Sequence, residues 1–229
     1  SFPLKTIPNG DYSVNVLAVS SGAKIADFTQ EMRKLPPKPN EVKINRFSRL
    51  LMVDNKPFIP FILEVMFWGN RLAHRDAPQD SLDIVARESG FETLCLWISY
   101  NQQSVDDCAR TGMKVILFNQ AEIEKAMRAG GQEAVTEELV RIFTKYRDYP
   151  NLLAWFIADE GNLFADQKHF KERFARLREA DPYHPIFKNE GGWVLGSGGA
   201  GGFDTTDIFC GGYGGYRLVD AINVDAIPR

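Results

Sequence analysis

Residues 152–161 have the sequence LLAWFIADEG, an apolar run of strand length that ends in two adjacent carboxylates and a glycine. Such a continuous apolar run predicts a strand buried on both faces, which is typical of parallel sheets. Asp159 and Glu160 then stand at the carboxyl end of a strand, where α/β barrels carry their catalytic groups. A carboxylic acid beside Trp155 would lose hydration, and its pKa would rise toward that of a general acid. The alternative is that these acids cap the next helix.

Strand and helix patterns alternate on both sides of this stretch. Strands are predicted over residues 58–65, 91–98, 113–119, 152–158, 184–189 and, more weakly, 206–211. Helices are predicted between them, one running from Ser104 to Gly112 and a longer one broken at Gly130 and Gly131. This rhythm implies a parallel sheet, either doubly wound or part of a (β/α)8 barrel. A barrel is favoured, because no Gly-rich phosphate loop follows the first strand.

The first 55 residues have a different character. Residues 11–20 alternate apolar and polar side chains after a Pro-Asn-Gly turn, and residues 41–45 and 49–53 are further short strand candidates. Three or four short strands are too few for an independent sandwich. We therefore predict that residues 1–55 are the last strands of a β-sandwich-like domain. Residues 56–229 are predicted to form an incomplete (β/α)8 TIM barrel of about six βα units.

Aromatic and amide side chains gather where the predicted strands end. They are Trp68, Trp97, Tyr100, Asn119, Asn189, Glu190, Trp193 and Tyr213. Aromatic faces that stack on sugar rings, flanked by amides and carboxylates, predict a carbohydrate cleft. Each tryptophan taken singly is more typical of a core, and Asn119 has about even odds of simply capping the next helix. Glu64 lies inside the first strand and is either structural or a second acid of the site.

Composition excludes several classes of function. The net charge of −3 and the absence of a basic cluster argue against nucleic acid as a partner. No apolar run reaches the roughly 18 residues of a membrane span. The three histidines show no metal-ligand spacing, so neither a metal nor an organic cofactor is implied. Three widely spaced cysteines leave the redox compartment open, and an extracellular or secretory location is favoured. A start at Ser1 without methionine indicates processing or truncation.

Two segments resemble a known family. Residues 53–60, VDNKPFIP, are similar to the V-D-G-K-P-F-x-P segment that leads into the catalytic barrel of β-sandwich-plus-barrel glycoside hydrolases of the β-galactosidase and β-glucuronidase type. Residues 147–160, RDYPNLLAWFIADE, resemble their fourth strand, x-H-P-A-L-L-x-W-Y-x-x-D/N-E. The similarity spans about residues 41–215. It implies hydrolysis of O-glycosidic bonds with retention, with Glu160 as the acid/base. Asp159 takes the place of an asparagine that binds the sugar 2-hydroxyl.

The resemblance also implies parts that this chain lacks. The family's nucleophile is a second glutamate at the end of strand seven. About 170 residues follow Pro57, well short of the roughly 250 of a typical barrel. We therefore expect the nucleophile and the closing strands to come from the rest of the protein, leaving an open sheet edge here. Glu190 and Glu64 are weaker candidates for the partner of Glu160, and the pair Asn189–Glu190 mimics the family's Asn–Glu pair.

Two other readings remain open from sequence alone. The first is a non-catalytic carbohydrate-binding or structural relative that kept the barrel and lost the chemistry. The second is a small-molecule enzyme with a doubly wound sheet. The sugar, the linkage and the oligomeric state are not specified by any motif.

Overall fold

The computed structural model describes residues 6–45, 47–65, 88, 90–97, 100–159, 167–191 and 207–213. The chain divides into two compact units, Ser1–Pro39 and Asn40–Arg229. None of the helices in the described ranges is long and apolar enough to cross a lipid bilayer.

The first unit is a β-hairpin. Strand β1, Gly10–Ser20, pairs antiparallel with β2, Ala23–Lys34, through a turn at Ser21 and Gly22 whose φ angles are both positive. Two positive φ angles match the right-handed twist of paired strands. Because side chains alternate across a strand, the paired residues Val16 and Phe28 lie on one face of the hairpin. Asn15 and Thr29 lie on the other face, where their side chains form a hydrogen bond. The predicted strand over residues 11–20 is confirmed, whereas β2 was not predicted.

A small antiparallel sheet opens the second unit. Its strands are β3, Val42–Asn45, β4, Leu50–Val53, and β5, Lys56–Phe58. The two short strands predicted over residues 41–45 and 49–53 are confirmed. The single strand predicted over residues 58–65 is wrong, because β5 ends at Phe58 and a separate strand, β6, covers Ile62–Val65. The assignment of residues 1–55 to a sandwich-like domain and 56–229 to a barrel remains a prediction.

The second unit is built around a curled parallel sheet. The strands after β6 are β7, Thr93–Leu96, β8, Lys114–Leu117, β9, Leu152–Asp159, β10, Ile186–Gly191, and β11, Ile208–Tyr213. Across the described strands of this sheet, each one pairs with the next along the chain. A doubly wound sheet needs a point where the strand order reverses. The described order has no such point, so the doubly wound alternative is wrong and the fold is a mixed α/β half-barrel with added antiparallel sheets.

Three described helices connect these strands. They are α1, Gln102–Thr111, α2, Gln120–Tyr146, and α3, Gln167–Ala180. Asn101 and Ser104 form a reciprocal capping box, so α1 begins before Ser104, where the sequence had placed its start. Gly112 ends α1 in the left-handed conformation, as predicted. The predicted break in the long helix is also confirmed, because Gly130 and Gly131 leave the helical conformation.

Alternation along the strands separates two apolar cores. On the helix side, Leu94, Leu96 and Trp155 pack with helix residues such as Leu139 and Phe143. On the inner side, a second core joins residues of the parallel sheet to Val42 of the small sheet. Its buried members are Val42, Cys95, Ile116, Phe118, Leu153, Ala154 and Phe156. Sequence-adjacent residues such as Leu94 and Cys95 therefore serve opposite cores, as the two-residue period of a strand requires. Burial on both faces explains why these strands are apolar throughout.

Candidate functional site

Several predicted site residues lie beyond what the structure describes. Glu160, Trp68 and Trp193 fall outside the described residues. The backbone alone is described for Asp159, Glu190, Tyr213 and the alternative acid Glu64. Their proposed contacts with a substrate therefore stay predictions.

The strand register brings four of the predicted positions to one edge of the sheet. Asp159, the last residue of β9, is paired with Asn189 of β10. On the next strand, Tyr213 is paired with Gly191, which directly follows Glu190. Neighbouring strands lie about 4.8 Å apart. Asp159 and the Asn189–Glu190 pair are therefore neighbours at the carboxyl edge of the parallel sheet.

Asn189 is the predicted amide best defined by its surroundings. It is buried, with 9% of its surface exposed. It follows Phe187 by two residues, and Phe187 packs against the inner core. Along a strand this spacing puts both side chains on the same face. Asn189 therefore presents a carboxamide on the inner face, at the level of the Asp159 backbone.

Asn119 caps a helix. It follows β8, and its Oδ1 accepts a hydrogen bond from the backbone N–H of Glu122 at 3.3 Å, within the first turn of α2. The capping alternative is therefore confirmed for Asn119.

Trp97 stands at the same carboxyl edge, directly after β7. Its indole is partly exposed. The ring centroid lies 5.4 Å from that of Phe118 and 4.8 Å from that of Phe156, both in edge-to-face arrangements. The indole Nε1 donates a hydrogen bond to Oε1 of Gln120 at 2.9 Å. Trp97 therefore packs against the inner core at the carboxyl edge, and these contacts restrict the orientation of its ring.

Tyr100 belongs to the helix-side core. It is 8% exposed and its ring lies 5.6 Å from that of Tyr146. Burial, together with the neighbouring Tyr146, raises the pKa of Tyr100 well above its ordinary value. Its hydroxyl has no hydrogen-bond partner among the described residues. Tyr100 is a core residue in this structure and is not part of the site that we propose.

Trp155 also serves the helix-side core. Its ring stacks on Phe143 with centroids 4.0 Å apart, and its Nε1 donates to Oδ2 of Asp181 at 2.7 Å. Asp159 is four residues further along β9, which is about 13 Å at 3.3 Å per residue. Trp155 thus contacts the helix-side core, and its effect on the pKa of the acids that end β9 stays a prediction.

The opposite edge of the sheet holds a buried polar network that the sequence did not reveal. His184 and Asp181 are both fully buried, and Nδ1 of His184 lies 2.7 Å from Oδ2 of Asp181. Nε2 of His184 lies 2.8 Å from the carbonyl oxygen of Asn40. Both ring nitrogens thus lie within hydrogen-bonding distance of an oxygen atom.

The same network controls the ionisation of Asp181. Burial acts to raise the pKa of this carboxyl, but hydrogen bonding and the charge of His184 act the other way. Further hydrogen bonds come from the Trp155 indole and the Tyr183 backbone N–H. The balance holds the pKa of Asp181 below its ordinary value.

The carboxyl edge combines an aromatic ring, a buried amide and the backbone that leads into two acids. An apolar platform with a few polar groups suits a ligand that has both hydroxyl groups and C–H faces.

Among the described residues, no three histidines, cysteines or carboxylates cluster closely enough to hold a metal ion. Gln120 also belongs to the carboxyl edge, and no sequence pattern assigned it a role. Its place next to Asn119 after a predicted strand was the available signal.

Comparison with known proteins gives a likeness at the level of fold. No family model matches the chain, and no curated protein matches it. Among solved structures it is similar to a glycosyl hydrolase family 2 member from Bacteroides cellulosilyticus, with a TM-score of 0.60 and 14% identity over 94% of this chain. That likeness covers 29% of the larger protein.

Two further structures carry sugar acids. A family 2 β-galacturonidase from Eisenbergiella tayi, bound to galacturonate, matches with a TM-score of 0.59 and 12% identity, over 81% of this chain and 33% of that one. A β-glucuronidase from Ruminococcus gnavus, in complex with D-glucuronic acid, matches with a TM-score of 0.52 and 12% identity. It covers 89% of this chain and 34% of the enzyme. The chain thus spans about a third of the length of these structures, whose fold it shares.

Proposed function

We propose that this chain is part of a retaining glycoside hydrolase with Glu160 as its acid/base. The observation that carries the proposal is the position of Asp159 at the carboxyl end of β9, beside Asn189, in a sequentially ordered parallel sheet. In barrels that edge is where catalytic groups stand. The likeness in fold to family 2 glycosidases supports the same reading.

The chemistry needs two carboxyl groups about 5–5.5 Å apart. In the first step a carboxylate attacks the anomeric carbon while the acid form of Glu160 protonates the departing glycosidic oxygen. The bond to the leaving group breaks and a covalent glycosyl-enzyme forms. In the second step Glu160, now a carboxylate, takes a proton from water while the water oxygen bonds to the anomeric carbon. The bond between that carbon and the nucleophilic carboxylate breaks, which releases the sugar and restores the nucleophile. We assign the nucleophile to a part of the protein outside residues 1–229.

The structure describes some of the proposed sugar contacts more completely than others. Asn189 and Trp97 have defined positions at the carboxyl edge, as an amide and a stacking face. Asp159 takes the position of the family residue that binds the sugar 2-hydroxyl. The remaining proposed contacts are Trp68, Glu190, Trp193 and Tyr213.

The proposed architecture is an incomplete (β/α)8 barrel. Strands β6 and β11 are the two ends of the described sheet, each paired on one side only among the described strands. Two more βα units from the rest of the protein would join those ends and close the barrel. The hairpin of β1 and β2 fits as part of a preceding β-sandwich, because an isolated two-stranded ribbon is marginally stable in water.

The test uses the complete protein with a panel of p-nitrophenyl β-D-glycosides: glucoside, galactoside, glucuronide and galacturonide. We expect release of p-nitrophenol from at least one, with the anomeric proton followed by NMR to establish retention. Glu160→Gln should abolish turnover of that glycoside, while Glu172→Gln, a matched change at an exposed glutamate of α3, should leave turnover unchanged. Glu190→Gln tests the alternative acid.

Three results decide between the readings. Undiminished turnover by Glu160→Gln would refute the assignment of the acid/base. Loss in Glu190→Gln with activity retained in Glu160→Gln would transfer that role to Glu190. Saturable binding of a glycoside with no turnover by the unmodified protein would favour the non-catalytic carbohydrate-binding relative.

A further inference from the structure

We infer that Gln120 is a positioning residue for Trp97, and that it holds the indole as a preset stacking platform for the sugar. The inference rests on the proposed function, because it concerns the same carboxyl edge. Both side chains are partly exposed there. No other described side chain donates to or accepts from the Trp97 indole in the hydrogen bonds of the structure.

Two hydrogen bonds join the same two residues. The indole Nε1 of Trp97 donates to Oε1 of Gln120 at 2.9 Å. The backbone N–H of Gln120 donates to the carbonyl oxygen of Trp97 at 3.3 Å. The second bond continues the pairing of β7 with β8 past the ends of both strands. The side chain of Gln120 therefore reaches Trp97 from a backbone whose position is itself fixed.

A third bond orients the carboxamide of Gln120. Its Nε2 donates to Oε1 of Glu124 at 2.9 Å, one turn further along α2. An amide that donates to a carboxylate must turn its oxygen the other way, which is toward the indole N–H. Glu124 thus selects the orientation in which Gln120 accepts from Trp97.

The neighbouring aromatic rings further restrict the orientation of the Trp97 indole. Phe118 stands at 89° to the indole plane and Phe156 at 69°. With two neighbouring rings packed against it and its N–H engaged, the indole is held in place before any ligand arrives. A platform that is already ordered loses little conformational entropy on binding, and this raises affinity.

The test combines a readout of the ring with a readout of binding. The complete protein is labelled with ¹⁵N-tryptophan, and the Trp97 indole N–H resonance is assigned by its loss in Trp97→Phe. Gln120→Leu should shift that resonance without any ligand present. The same variant should raise KM or Kd for the glycoside bound by the unmodified protein about tenfold, with kcat within about twofold.

Two controls separate positioning from general damage. The double variant Gln120→Glu/Glu124→Gln keeps an acceptor for the indole and a donor for that acceptor, so it should restore both the resonance and the affinity. Gln103→Leu removes a similar exposed pairing, in which Gln103 donates to Asp107 at 3.0 Å in the first turn of α1. That variant should change neither readout.

The outcomes distinguish this inference from the proposed function. An unshifted Trp97 resonance in Gln120→Leu would overturn the inference, and so would unchanged affinity despite a shift. Either result leaves the glycosidase proposal standing. If the unmodified protein binds none of the four p-nitrophenyl glycosides, the proposed function fails and the inference fails with it.

Discussion

The two ends of the parallel strands are built in opposite ways. At the amino edge, Asp181 and His184 are fully buried and contact each other, and His184 also contacts the carbonyl oxygen of the partly buried Asn40. At the carboxyl edge, Trp97 and Gln120 stay partly exposed. The first arrangement pairs buried polar groups with one another, and the second leaves an aromatic ring and polar groups partly exposed. The difference agrees with the proposed site, because barrels maintain stability at one edge and carry function at the other.

The most damaging change should be at the amino edge. Asp181→Asn keeps the shape of the side chain but removes the charge that faces His184 and Trp155. Breaking a buried pair by removing one partner costs about 3–5 kcal/mol. Urea denaturation measures this loss. Lys125→Gln, which breaks an exposed pair with Glu122, should cost less than about 1 kcal/mol. A loss below about 1 kcal/mol in Asp181→Asn would contradict the role assigned to this network.

The same variant gives the expected pH dependence. The pKa of Asp181 is lower in the folded protein than its ordinary value of 3.8. Its stabilising contribution is therefore complete above that ordinary value and is lost as the pH falls below it toward the folded value. Between about pH 4 and pH 2, the free energy of unfolding should fall more steeply for the unmodified protein than for Asp181→Asn. Parallel profiles would show that Asp181 does not contribute through its charge.

A smaller effect is expected where α2 passes from one region to the other. Its buried residues all follow the break at Gly130 and Gly131, whereas residues before the break, such as Ile123 and Ala126, are only partly buried against the core. Gly131 has φ 66° and ψ −150°, a combination that only glycine adopts readily. Gly131→Ala should destabilise the protein by about 1–3 kcal/mol in urea denaturation.

Gly112→Ala is the matched comparison for that change. Gly112 has φ 75° and ψ 6°, a left-handed conformation that other residues reach at a cost of about 1–2 kcal/mol. The larger loss should therefore be at Gly131. The reverse order would mean that α2 straightens when the glycine is replaced.

The smallest effect should come from Tyr100. Its hydroxyl is buried without a partner among the described residues, so Tyr100→Phe removes a polar group that gains nothing there. We expect the free energy of unfolding to stay the same or rise by up to about 1 kcal/mol. Glycoside turnover should be unchanged, and a raised KM would return Tyr100 to the carboxyl-edge site.

Local patterns were enough to predict the strand succession of the second unit. The apolar run of β9 and the mostly apolar β7 and β8 follow from burial on both faces, and Gly112 and Gly131 follow from backbone angles that favour glycine. The missed strand β2 shows the limit. Its exposed apolar residues, such as Ile25 at 67%, are interleaved with charged ones and show no clear buried face.

Long-range partners explain what sequence could not supply. Trp155 looked like a neighbour of the acids because it is close to them in sequence, but its hydrogen bond goes to Asp181, twenty-six residues away. The bond between Trp97 and Gln120 likewise spans two strands. A one-dimensional pattern places side chains on faces and at strand ends, whereas such pairs depend on which strands become neighbours.

The order of the strands has a consequence for how this protein is made. Each described parallel strand pairs with the one synthesised just before it. As the chain leaves the ribosome, each new strand after β6 therefore meets a neighbouring strand that is already complete. Closing the loop between successive strands costs less entropy than joining strands further apart in the sequence, which favours this order of addition. The growing sheet can add one strand–helix unit at a time, from the amino end onward.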